Sequence, residues 1–313
     1  MQSASKARKN VRVSRTVLKV VLLLALLGFI GWQLWLQDWS KMHAFHLKNP
    51  VYLVLALLLV IANQGCEWFK WKRVAQSLTN DPKVVRDAFF SGIGTGFMTP
   101  NGWGNFMGRM IYFRKRDRLY IIFSSFVSNV SQVLPTVFFG AVACIYSNRL
   151  EISIGGSVLA IGTVILLAYS FGEYLVPQRT TKNRTLRKLQ WMKRRMRGLR
   201  LPLFLWSNLR FVIFSAQYVL LFMAFGYTNY WFLTIHVWLI FLLTSFVPSL
   251  WSGKLLIRET AAIFAFRDSM VALPDVVLVS LLIWVLNIIL PALVSSFVWI
   301  PVSKNKQQAH VVD

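Results

Sequence analysis

Residues 88–113 read AFFSGIGTGFMTPNGWGNFMGRMIYF, and this stretch decides the fold. It is apolar enough to sit in a bilayer, yet Gly92, Gly94, Gly96, Pro100, Gly102 and Gly104 interrupt its middle, so it does not read as one clean helix. Its two flanks agree in charge. Lys83 and Arg86 precede it, and Arg114, Lys115, Arg116 and Arg118 follow it. Basic flanks mark the cytoplasmic side, so the stretch is expected to be a re-entrant helical hairpin that enters and leaves from the cytoplasm. Backbone that is not helical is tolerated at membrane depth only where protein or a wet cavity satisfies its polar groups. The hairpin is therefore expected to line a cavity.

The rest of the chain extends this reading. Of 313 residues, 56% are hydrophobic and only 15% charged, against about 25% charged in ordinary soluble domains. The apolar residues fall in blocks near the roughly 18 residues that a spanning helix needs. Six such blocks follow one another: about 17–36, 50–68, 119–146, 152–176, 203–225 and 276–300. The first is too long, and too soon followed by further spans, to be a cleaved signal peptide. The fold class is accordingly all-α: a polytopic membrane protein with about six transmembrane helices and two re-entrant hairpins, forming one integral membrane domain over residues 1–313.

The 35 basic residues outnumber 11 acidic ones, for a formal net charge of +24, and their positions carry the orientation. They concentrate in the tail 1–16, the inner loops and the tail 301–313, whereas the outer loops hold only Lys41, Lys48, Arg149 and Arg267. Both termini are thus placed in the cytoplasm, and a bacterial inner membrane is the expected location. The segment 177–202 carries Arg179, Lys182, Arg184, Arg187, Lys188, Lys193, Arg194, Arg195, Arg197 and Arg200 without a single acid. Leu186, Leu189, Met192, Met196 and Leu199 recur through it at helical spacing, so it reads as an amphipathic cytoplasmic helix. Residues 179–200 could recruit anionic inner-leaflet lipids or serve only to set the topology. Nucleic acid is not expected as a partner, since no binding motif accompanies the charge.

A second interrupted stretch occupies residues 230–266, with Pro248, Ser249, Ser252 and Gly253 at its centre. The two stretches align: Pro100 and Trp103 precede Arg109 as Pro248 and Trp251 precede Arg258. One opens to the cytoplasm and the other to the outside, which makes an inverted repeat of the kind built around transporter sites. A half-helix that begins at mid-membrane presents unpaired N–H groups and a positive dipole end, which favour an anion. Arg109 and Arg258 lie in those returning halves, and a guanidinium can hold phosphate in bidentate fashion. The alternatives are that Arg109 snorkels to the interface and that Arg258 pairs with Glu259 or another carboxylate. Gly92 and Gly96 read as a close-packing pair. Asn63, Gln64, Glu67, Asn129 and Gln132 are further candidates for the cavity wall.

Catalytic patterns are scarce. Cys66 and Cys144 both lie in apolar segments, only His43 and His46 of the four histidines are close enough in sequence to suggest joint ligation and they read as an interfacial loop feature, and no nucleophile elbow, HExxH or phosphate-loop lysine motif occurs. No enzyme activity, cofactor or metal is expected.

Taken together, the Pro100-Asn101-Gly102-Trp103-Gly104 break followed by Arg109, the Gln217-Tyr218 span with Phe225-Gly226, and the Pro248 break leading to Arg258-Glu259 resemble the lysylphosphatidylglycerol synthase transmembrane-region family. The resemblance covers nearly the whole chain, and departs from the family at Asn105, where many members are expected to carry an acid. It implies a flippase-like module that binds an anionic or aminoacylated phospholipid, or a polyprenyl-phosphate lipid, between the hairpins. The headgroup residues it implies are Pro100, Gly102, Gly104, Asn105, Arg109, Pro248, Arg258 and Glu259. Membrane phospholipids would be the partners, and a separate lipid-modifying enzyme a further one. The synthase domain of larger relatives is not expected in a chain with thirteen residues after Ile300. The alternative is a non-transporting membrane partner that presents lipid to a separate synthase or glycosyltransferase.

Overall fold

The computed structural model describes residues 47–97, 99, 104–147, 155, 157–159, 161–162, 164–166, 184–246, 253–267 and 269–302. The first expected span, the tail 1–16, nearly all of the tail 301–313, most of 152–176, and Pro100, Gly102 and Pro248 lie outside the described residues. Among the described residues every regular element is helical and none is a strand. The helices are α1 (Pro50–Gln76), α2 (Pro82–Phe97), α3 (Gly104–Met110), α4 (Arg118–Ser147), α5 (Arg184–Met196), α6 (Arg200–Ala224), α7 (Tyr230–Phe246), α8 (Gly253–Phe266), α9 (Leu273–Trp284) and α10 (Leu290–Val302). A π-turn at Val285–Ile289 joins the last two into one continuous rod.

Four stretches are long and apolar enough to cross a membrane: Pro50–Gln76, Arg118–Tyr146, Gln190–Ala224 and Leu273–Val298. They overlap four of the six expected spans, the third beginning at Gln190, within the expected basic loop 177–202. The distribution of side chains on α1 supports a lipid environment. Val51, Val54, Leu58 and Ile61 face outward, while Ala56, Asn63, Cys66 and Lys70 face inward. That is the reverse of a helix on a soluble domain, where the apolar stripe turns inward. It is the arrangement expected where lipid solvates the large side chains and small or polar groups mediate helix contacts.

α6 is the central helix, packing against α1, α4, α7 and α9. Both glycine- and proline-broken stretches form helix pairs, α2 on α3 and α7 on α8. Two glycines set the first pair's approach: a Cβ at Gly104 would overlap the Thr95 carbonyl, and one at Gly108 would overlap the Thr95 hydroxyl. Thr95 Oγ1 instead donates to the Gly104 carbonyl at 2.6 Å, and Ser91 Oγ donates to the Gly108 carbonyl at 3.1 Å. These contacts turn backbone groups at the break inward onto neighbouring hydroxyls.

The chain leaves α6 through Gly226, whose φ of +94° closes the helix while the Gly226 and Tyr227 amides cap the Met223 and Phe222 carbonyls. A β-carbon there would overlap the Lys48 side chain and force an L-residue into the left-handed region, a cost of about 1–2 kcal/mol. Gly226→Ala should lower the unfolding midpoint of the purified protein, and an unchanged midpoint would contradict this account of the cap. At the same end, Tyr227 Oη donates to Asp275 Oδ2 at 2.7 Å and accepts from the Ala272 amide at 3.0 Å, tying the turn before α7 to the start of α9.

Beneath α5, Met192 and Met196 pack into a cluster with Trp71, Val85, Phe113, Tyr120 and Ile121. Arg195 stacks over Trp191 and Tyr120, its Cζ 5.0 and 5.6 Å from the ring centroids. The basic helix is thus docked on protein through its methionines. Arg187 and Arg194 remain exposed on the opposite face.

Candidate functional site

A cluster of opposed charges occupies the space between α1, α3 and α6. Glu67 Oε2 receives Lys70 Nζ and Arg210 Nη1, each at 2.9 Å, and Glu67 Oε1 lies 3.5 Å from Arg109 Nη2. Three cations therefore share one carboxylate, which leaves two formal positive charges uncompensated. Lys70 and Arg109 are buried, and Lys70 also points its ammonium at Ser207 Oγ, 3.5 Å away. Arg109 stacks on Trp71, its Cζ 4.5 Å from the ring centroid. An arginine or lysine at the bilayer centre costs about 2.5–3.5 kcal/mol even on the most lenient scale, so this concentration of cations calls for further negative charge.

Arg210 extends from the cluster into a cavity of about 280 Å³. Arg258 of α8 reaches the same cavity, and its Nη1 is buried with no hydrogen-bond partner among the described residues. Amides of Asn63, Gln132 and Asn287 and hydroxyls of Thr136, Ser207, Thr244 and Ser245 complete the polar wall. Phe211, Phe214 and Phe241 form the apolar side, with Phe214 and Phe241 stacked at 5.1 Å between centroids. Among the described residues, no carboxylate lines the cavity.

One hydrogen-bond chain holds this wall in place. Arg210 Nε donates to Asn63 Oδ1 at 2.8 Å, Asn63 Nδ2 donates to Asn287 Oδ1, and Asn287 Nδ2 donates to Gln217 Oε1 at 3.0 Å. Gln217 Nε2 then donates to the Ala56 carbonyl at 2.9 Å. Asn287 sits inside the π-turn, a local widening that is frequent at functional sites. Its side chain joins α1, α6 and the last rod. Asn287→Ala should destabilise the protein by about 1–2 kcal/mol, since interhelical polar pairs in membranes contribute about 0.6–1.7 kcal/mol each. Thermal unfolding in detergent reads this directly, and an undiminished midpoint would show that the chain is not structural.

Of the residues singled out in the sequence, Arg258 faces the cavity and Arg109 does not. Arg109 neither snorkels nor lines the cavity, because Glu67 and Trp71 hold it in the adjoining pocket. Gly104 and Asn105 belong to the packing between α2 and α3, where Asn105 fills the space left open at Gly92 and Gly96. Glu259 is buried, and no ion pair between it and Arg258 is found among the described residues. Asn63 and Gln132 line the cavity and Glu67 the adjoining pocket, Gln64 donates to the Asn287 carbonyl at 3.5 Å, and Asn129 is exposed.

The expected position between the two hairpins is therefore revised. The α7–α8 pair contributes Phe241, Thr244, Ser245 and Arg258 to the cavity, whereas none of the cavity's described lining residues comes from α2 or α3. α1, α4, α6 and the π-turn supply the rest. Arg210 and Asn287 are not singled out in the sequence, and Lys70, with Lys72 and Arg73, reads there as the cytoplasmic flank of the second span. A lone arginine or asparagine inside an apolar run was the available signal.

The fold and cavity define an all-helical chain with membrane-length helices around a cationic, hydroxyl-rich interior. Comparison with known protein families, curated proteins and solved structures finds no match.

Proposed function

We propose that this chain is a flippase-like membrane lipid transporter that receives an anionic phospholipid or polyprenyl-phosphate headgroup in the Arg210–Arg258 cavity and moves it across the bilayer. The single observation that carries the reading is Arg258, a half-buried arginine whose Nη1 is buried and unpartnered at a polar cavity lined by no carboxylate among the described residues. A buried donor without a partner is costly, and a phosphate oxygen would supply the partner in charge-assisted form. The two uncompensated positive charges around Glu67 draw on the same anion.

The phenylalanine wall suits the apolar part of a lipid near its headgroup. Among the described residues no carboxylate lines the cavity, which disfavours the amine of an aminoacylated lipid and makes an unmodified anionic headgroup the better fit. In this reading the chain has six spans and two opposed re-entrant hairpins, sits in a bacterial inner membrane with both termini cytoplasmic, and steadies itself on anionic inner-leaflet lipids through the basic face of α5. It groups with the lysylphosphatidylglycerol synthase transmembrane-region family by the motifs described above.

The test is reconstitution in phosphatidylcholine vesicles containing a fluorescent phosphatidylglycerol, with flipping followed by external quenching. Faster flipping than in protein-free vesicles supports transport. Flipping that starts only when a separate synthase or glycosyltransferase is added would replace this reading with that of a lipid-presenting partner.

A further inference from the structure

A second polar feature runs along one face of α4. Ser124, Ser128, Gln132 and Thr136 recur every four residues, so they share one face of the helix over a rise of about 18 Å. Gln132 and Thr136 line the central cavity. Ser124 and Ser128, with Ser125, line a smaller pocket together with Glu67, Lys70 and Arg109. The polar stripe thus passes from one pocket to the other, and the Glu67 carboxylate bridges the same interval on the opposite wall. Its Oε1 faces Arg109 and its Oε2 faces Lys70 and Arg210.

The smaller pocket has its own unmet demand for an acceptor. Arg109 is 6% exposed, and its Nε and Nη2 have no hydrogen-bond partner among the described residues. Its 3.5 Å approach to Glu67 is the loosest of the three contacts that carboxylate makes. The free volume is only about 10 Å³, room for roughly one water, so a larger occupant must displace the Arg109–Glu67 contact. A phosphate can do this at low electrostatic cost, because it replaces one anionic partner of Arg109 by another.

We infer that Arg109, Lys70 and the Ser124–Ser125–Ser128 face of α4 form a second phosphate station, through which a lipid headgroup passes to or from the Arg210–Arg258 cavity. This rests on the transport reading above and adds a route to it. Headgroups move along the hydroxyl stripe while cations on α1, α3, α6 and α8 hold the phosphate at successive depths.

The test uses the full chain with Cys66→Ala and Cys144→Ala, reconstituted in phosphatidylcholine vesicles with or without phosphatidylglycerol. Single Ser128→Cys should react with a small hydrophilic thiol reagent about tenfold faster than Phe126→Cys, which faces lipid, and phosphatidylglycerol should slow it about tenfold. Inorganic phosphate should not protect it if the occupant is a lipid headgroup; protection by inorganic phosphate alone would make the station a site for the free ion and overturn the route. In the native background, Ser128→Trp should cut flipping about tenfold or more while phosphatidylglycerol stays bound at the central cavity. Wild-type flipping that matches protein-free vesicles overturns the transport reading and the route with it. Normal flipping in wild type and in Ser128→Trp, with no protection at Ser128→Cys, overturns the station alone.

Discussion

Arg258→Ala should abolish retention of anionic lipid while leaving the protein folded, with an unfolding midpoint equal to or above that of the wild type. The two halves of this expectation share one cause. Arg258 reaches the cavity with Nη1 buried and without a hydrogen-bond partner among the described residues, so its removal relieves a desolvated donor. The bound phosphate, in contrast, loses a charge-assisted contact. Truncation of one member of a buried, hydrogen-bonded charge pair costs about 2–5 kcal/mol, a loss of at least about thirtyfold in affinity. Arg258→Lys keeps the charge without the fork that grips two oxygens and should fall between. Lipid co-purification and thermal unfolding on the same samples read both halves. Retained lipid, or a collapse of stability, would remove Arg258 from the site.

Glu67→Gln should produce the opposite pattern, with a large loss of stability. Lys70, Arg109 and Arg210 all converge on this carboxylate, and its neutralisation leaves three cations packed together out of water. Loss of one partner from a buried ion pair costs about 3–5 kcal/mol, and two further cations make this the most damaging single change among the charged residues. Because phosphate can take over part of the counter-charge, anionic lipid should restore more stability to Glu67→Gln than it adds to the wild type. Equal stabilisation of both proteins would separate the charge cluster from lipid binding, and an undestabilised Glu67→Gln would show that the cations are solvated.

The long elements were legible because membrane length and charge flanks act locally: α4 covers 118–147 where the apolar run predicts 119–146. The interruption of the first glycine-rich stretch was legible for the same reason: its glycines and proline break the apolar run, and two separate helices, α2 and α3, flank that break. Arg258 could be found because Pro248, Trp251 and Arg258 repeat the order of Pro100, Trp103 and Arg109, with the arginine one residue further on. The cavity itself was not legible. Arg210 lies in the middle of the run 203–225, where attention to the charges at the ends of apolar runs overlooks it. Lys70 reads as a cytoplasmic flank of a span ending near Trp68, yet α1 continues to Gln76 and carries it into the interior. Which polar residues meet depends on how α1, α4, α6 and α8 are arranged in space, and no local pattern encodes that arrangement. Arg109 illustrates the point: its burial could be anticipated from its depth, but its partner Glu67 is a tertiary fact.

The most direct test of the central claim is native mass spectrometry of the gently purified protein, comparing lipids retained by the wild type with those retained by the Arg210→Ala, Arg258→Ala double variant. The account predicts one anionic lipid class on the wild type that is absent from the variant. The same profile of bulk membrane lipids on both proteins would contradict it.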